Sequence, residues 1–133
     1  MQAKEFLFES IWTNKNKVYK LLLDKIGSGP FDGGCVVVAD ALKLRYGGDV
    51  VVLVGRAQRT VKEESAQHAA LLLNGLMIDG DGALPPDQFV KRFTKNELVA
   101  GGNITKIRPI QTGDLPDAPR DLELSKIISK FIR

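Results

Sequence analysis

The sequence predicts a single α+β domain over residues 1–133, with a mainly antiparallel sheet and helices packed on it. Three observations carry this reading. Apolar residues recur on one side at helical spacing near both ends of the chain. Asp49–Arg56 is a continuous apolar run, and two further apolar runs flank Asn74–Gly75. At 133 residues the chain is long enough to bury a core without disulfide or metal staples.

Taken in order, the segment up to Ile26 reads as helical with a break near Thr13–Asn14. Phe8, Ile11 and Trp12 fall at i, i+3 and i+4, and Val18, Leu21, Leu22 and Ile26 continue the stripe. Asn14 suits the N-cap of the second piece. Residues 27–34, GSGPFDGG, hold four Gly and one Pro and mark an irregular loop. Residues 35–46, CVVVADALKLRY, are ambiguous: Val36–Val38 favours a strand. The spacing of Val38, Leu42 and Tyr46 and the Gly47–Gly48 stop favour a helix, which is the preferred assignment.

Asp49–Arg56 reads as a strand with both faces covered, because its apolar run does not alternate. Gln58–Gln67 is polar and reads as a surface loop. Residues 68–79, HAALLLNGLMID, form a hairpin, since Asn-Gly is the pair that a type I′ turn requires. DGDGALPP is another loop, and Pro86 opens a helix with Phe89, Val90 and Phe93 as its apolar residues. Asn103–Ile110 is a last strand. A helix from about Pro119 closes the chain, with Leu124, Ile127, Ile128 and Phe131 on one face.

Composition excludes several classes. No apolar run approaches the length of a membrane span, and the N-terminus lacks the apolar core of a signal peptide. The 19 basic residues are interspersed with 16 acidic ones, with no arginine-rich block, which disfavours a nucleic-acid partner. The single cysteine cannot form an internal disulfide, in keeping with a reducing, cytoplasmic setting. One Cys and one His are too few for a structural zinc site. GDGALPPDQF fits neither a calcium loop nor a phosphate loop, and Trp12 and Phe8 read as core.

The only Cys and the only His sit at chemically suggestive places. Cys35 stands where the Gly-rich loop becomes a helix, and unpaired N–H groups there favour a thiolate and can hold an oxyanion. Gly33 and Gly34 leave room beside it for a substrate backbone. His68 opens the hairpin. A two-residue Asn74–Gly75 turn pairs Leu73 with Leu76, Ala70 with Asp79 and His68 with Asp81, so that His68, Ala70 and Asp79 share one face. Either Asp79 or Asp81 can orient the imidazole; Asp79 is preferred, because it lies inside the strand. Singly, each residue has a plainer reading: a buried small thiol, a structural histidine, Asp-Gly turn residues.

GGCVVVADAL, then HAALLLNGLMID, then GDG, resembles the core of the papain-like cysteine peptidase superfamily in its small NlpC/P60 and transglutaminase-like forms. The likeness spans residues 27–82. It implies a papain-like core with Cys35 as nucleophile, His68 as base and Asp79 as orienting acid. The implied chemistry is acyl transfer on a peptide, protein or small amide substrate through a thioester, as hydrolysis, deamidation or transamidation. No metal or organic cofactor is required. GSGPFDGG lacks the Gln that such peptidases often place before the nucleophile; Ser28 or a second backbone N–H would have to replace it. The alternative is a non-enzymatic binding or inhibitor protein, of phage or mobile-element type, on the same fold.

Overall fold

Asn14 caps the first helix as its position suggests: its side-chain oxygen accepts from the Lys17 N–H at 3.2 Å. This helix, α1 (Lys15–Ile26), ends at Gly27, whose φ of 69° lets its N–H return to the Leu23 carbonyl. The computed structural model describes residues 10–57, 60–96 and 103–133. Among them, four helices and five strands are formed.

The ambiguous segment is helix α2 (Cys35–Tyr46). Cys35 through Leu42 are all buried, so this helix has no solvent face in its first two turns. It is enclosed by the sheet and by α4 (Leu122–Ser129), whose Leu124 and Ile128 pack with Val37, Val38, Ala41 and Leu42. Ser125 donates its hydroxyl to the Val37 carbonyl at 2.9 Å. Burial on all sides therefore outweighs the strand preference of three successive valines.

The strands are β1 (Asp49–Gly55), β2 (Ser65–Leu73), β3 (Leu76–Asp79), β4 (Gly82–Leu84) and β5 (Ile104–Pro109). They form one antiparallel sheet in the order β4-β3-β2-β1-β5. The apolar run of β1 is covered on both sides, as its lack of alternation predicts. Val50, Val52 and Val54 join Cys35, Val36 and Ala39 on one face. Val51 and Leu53 meet Ala70, Met77 and the Phe89 and Phe93 rings of helix α3 (Pro86–Asn96) on the other. The hairpin turn has φ of 51° at Asn74 and 78° at Gly75, as a type I′ turn requires. Its register, Leu73 to Leu76 and Leu71 to Ile78, is the expected one.

The structure corrects four boundaries. Ile11 and Trp12 are not helical; Trp12 instead forms an isolated bridge with Ile132, and Phe8 lies outside the described residues. β2 starts at Ser65, three residues before His68, because Val54 and Gly55 of β1 offer it partners. Gly82–Leu84, read as loop, is a short edge strand paired with β3. The last helix begins at Leu122 rather than Pro119, where Asp121 accepts from the Leu124 N–H at 3.0 Å.

Between β5 and α4 the chain crosses the start of α2 as a strap. Two forked ion pairs fasten it. Arg108 grips Asp114 at 2.7 and 2.9 Å, and Arg120 grips Asp40 at 2.8 and 3.1 Å. Between them Ala118 is buried in the same cluster as Cys35.

Candidate active site

Cys35 is the first residue of α2, and Gly34 in the N-cap position has no side chain with which to cap the helix. The loop before it folds back on itself: the Gly34 N–H donates to the Gly29 carbonyl at 2.9 Å. A Cβ on Gly34 would lie 2.7 Å from that same oxygen, and one on Gly33 would lie 2.9 Å from the Ser28 hydroxyl. These glycines are thus required by close packing behind Cys35, and Gly34 spends its N–H within the loop. Gly33 and Cys35 border an open cleft of about 630 Å³, whereas Ser28 and Gly34 do not.

His68 is placed by a bulge that the sequence did not reveal. Leu53 pairs with His68 but Val54 pairs with Ala66, so Gln67 is an extra residue in β2. Its side-chain amide donates to the Gly55 carbonyl at 3.3 Å and to the Ser65 carbonyl and hydroxyl at 3.1 and 2.9 Å. Gln67 lines the cleft, but its amide nitrogen is engaged in holding the bulge. The imidazole beyond it is 2 % exposed and stacked among Phe31, Phe89 and Phe93, with centroids 5.6, 6.2 and 5.0 Å away.

Two polar groups act on that ring. Nε2 lies 2.9 Å from Oδ2 of Asp79. The Cys35 side chain is the second, and its influence likewise favours a proton on the ring. Cys35 comes from the α2 side of the sheet and His68 from the aromatic α3 side. They meet at the bulged end of β2. Burial alone would push the imidazole toward its neutral form. The hydrogen bonds to Asp79 and Cys35 outweigh it and raise the His68 pKa from 6.5 to about 9. The balance of these influences favours the protonated ring, which the Asp79 carboxylate holds at Nε2.

Asp79, and not Asp81, is joined to the imidazole. The second oxygen of Asp79 accepts from the Asp81 N–H at 2.8 Å and from Nη2 of Arg92 at 3.0 Å. Asp81 thus contributes its backbone, locking the carboxylate in the turn. Arg92 belongs to no motif in the sequence. Its spacing from Phe89 on α3 is the only available signal, and its guanidinium lies 5.0 Å over that ring. It also donates to the carbonyls of Asp81 and Gly82 at 3.3 and 3.2 Å.

Among the described residues no group of three or more His, Cys, Asp or Glu side chains is placed to hold a metal ion, and no helix is long and apolar enough to cross a membrane. Compared with family models, curated proteins and solved structures, the chain matches none.

Proposed function

We propose that this protein is a cysteine hydrolase or acyltransferase of papain-like type, with Cys35, His68 and Asp79 as its triad. The observation that carries the reading is the 2.9 Å bond from His68 Nε2 to Asp79 in a buried ring whose other polar neighbour is Cys35. No purely structural need is evident for placing the only imidazole between the only thiol and a carboxylate, where burial works against its charge.

The chemistry follows from these roles. The Cys35 sulfur attacks the carbonyl carbon of an amide that enters the cleft, and the imidazolium of His68 holds the proton the thiol has lost. The developing oxyanion is met by N–H groups of the uncapped first turn of α2. Collapse breaks the C–N bond, and His68 passes its proton to the departing amine, leaving a thioester on Cys35. Water or a second amine then attacks the thioester carbon, with neutral His68 accepting the nucleophile's proton. The C–S bond breaks, the new acid or amide leaves, and the proton on His68 restores the starting pair. Asp79 stays ionised throughout and fixes which ring nitrogen faces the sulfur.

The test is alkylation of Cys35 by iodoacetamide across pH, in wild type and in His68→Ala. The expected result is rapid modification of the native protein at neutral pH and a loss of about tenfold or more in His68→Ala, with folding of the variant checked by circular dichroism. Equal rates in both proteins, or an inert thiol in the native fold, would overturn the triad and leave a binding protein as the better reading.

A further inference from the structure

The chain carries a net charge of +3, yet the described residues that line the cleft beside Cys35 carry net negative charge. Its described lining residues include four carboxylates, Asp32, Glu64, Asp114 and Asp117, and a single cation, Arg108. Arg108 is consumed by Asp114 in a two-bond fork, so that pair is neutral toward anything else in the cleft. Glu64 accepts from the Thr105 hydroxyl, a neutral partner that leaves its charge in place. Among the described residues, no Lys or Arg pairs with Asp32, Glu64 or Asp117. These three come from the loop before α2, the entry to β2, and the strap. They therefore reach the cavity from three separate parts of the chain.

A surface of this kind attracts cations and repels anions. A cleft lined by one sign of charge can raise the local concentration of the opposite ion by roughly tenfold or more at low ionic strength. The cavity has room for a side chain of peptide size next to the sulfur, and the carboxylates of Asp32, Glu64 and Asp117 are exposed to solvent. We infer that the substrate of this site is a cationic amide: a peptide with a Lys or Arg side chain close to the scissile bond, or a cationic amine as acyl acceptor. The inference rests on the triad proposed above, and it adds a charge selection that the triad alone does not supply.

The test uses three methanethiosulfonates of similar size on the intact protein: a trimethylammonium, a sulfonate and an uncharged alkyl reagent. Each transfers its thioalkyl group to Cys35 as a mixed disulfide and releases methanesulfinate. Relative to their rates with a small free thiol, which cancels a thiolate's intrinsic preference for the cation, the trimethylammonium reagent is expected to react about tenfold faster than the sulfonate at low salt. That ratio should shrink toward unity at about 0.5 M salt, and in Asp32→Asn/Asp117→Asn. A prompt reaction with the uncharged reagent but equal relative rates for the two charged ones would overturn the charge selection while leaving the triad standing. Failure of the uncharged reagent to modify native Cys35 would overturn the triad, and this inference with it.

Discussion

Nη2 of Arg92 lies 3.0 Å from Oδ1 of Asp79, the carboxylate whose other oxygen holds His68. Asp79 is thus shared between a helix and a strand. The imidazole takes one of its oxygens and the guanidinium the other. The electrostatic consequence is specific: a cation beside Asp79 weakens the carboxylate's hold on a proton at His68.

Removing that cation should therefore raise the His68 pKa above its value in the native protein. Arg92→Ala is expected to move the single histidine resonance to a higher titration midpoint by NMR. It should also destabilise the fold by about 1–3 kcal/mol, from the lost charge-assisted bonds to Asp79 and to two carbonyls. Arg92→Lys should keep the titration nearer its native position. A downward shift in Arg92→Ala would show that Arg92 acts by orienting Asp79 rather than by its charge.

Truncating Asp79 leaves a buried imidazole with its strongest partner gone. Asp79→Ala is expected to lower stability by about 3–5 kcal/mol in urea unfolding at pH 7, and to move the His68 midpoint below the native value. Asp79→Asn preserves the shape but not the charge, so its stability loss should be the smaller. Unchanged stability in Asp79→Ala would show that the 2.9 Å contact is not energetically significant.

The pH dependence of folding has a definite sign. The His68 pKa is raised from 6.5 to about 9 in the fold, so the folded chain keeps a proton that the unfolded chain releases. This contribution to stability is whole below pH 6.5 and is lost as pH rises to about 9. At about 1.4 kcal/mol for each pH unit, the interval is worth on the order of 3 kcal/mol. Urea unfolding between pH 6 and 10 should show this decline. It should be much reduced in His68→Gln, and a flat profile would be inconsistent with a protonated native His68.

A fourth expectation concerns the sheet. At Gly55 an added Cβ would lie 2.0 Å from the Asn103 carbonyl, a backbone atom unable to move aside without shifting β5. Gly55→Ala is expected to cost about 2–3 kcal/mol, whereas Gly27→Ala meets nothing within 4 Å and suffers only from its φ of 69°. Comparable losses at both positions would mean that backbone angle, not the close approach, governs Gly55.

Much of the domain was legible because it is written in local signals. Asn14, Gly27 and Asn74–Gly75 set their helix and turn through nearest-neighbour chemistry, and the two-residue turn fixed the pairing of Leu73 with Leu76. The placing of Asp79 diagonally from His68 follows from that register. What stayed hidden depends on distant partners. β4 exists because β3 offers it an edge, and Gln67 bulges because β1 is one residue short opposite it. Arg92 reaches Asp79 from a separate helix, a relation that no spacing in the chain encodes. The strap's two ion pairs are of the same kind: Arg120 and Asp40 are 80 residues apart.

Trp12 is the only tryptophan of the chain, and its indole N–H donates to the Gly80 carbonyl at 3.2 Å, one residue beyond Asp79. With 3 % of its surface exposed, it is a shielded fluorophore fastened to the turn that carries the acid. Its emission should therefore be blue-shifted in the native state and move to longer wavelength when that turn loosens. The protein thus carries an optical reporter of its own candidate site, able to register opening around Asp79 without any label.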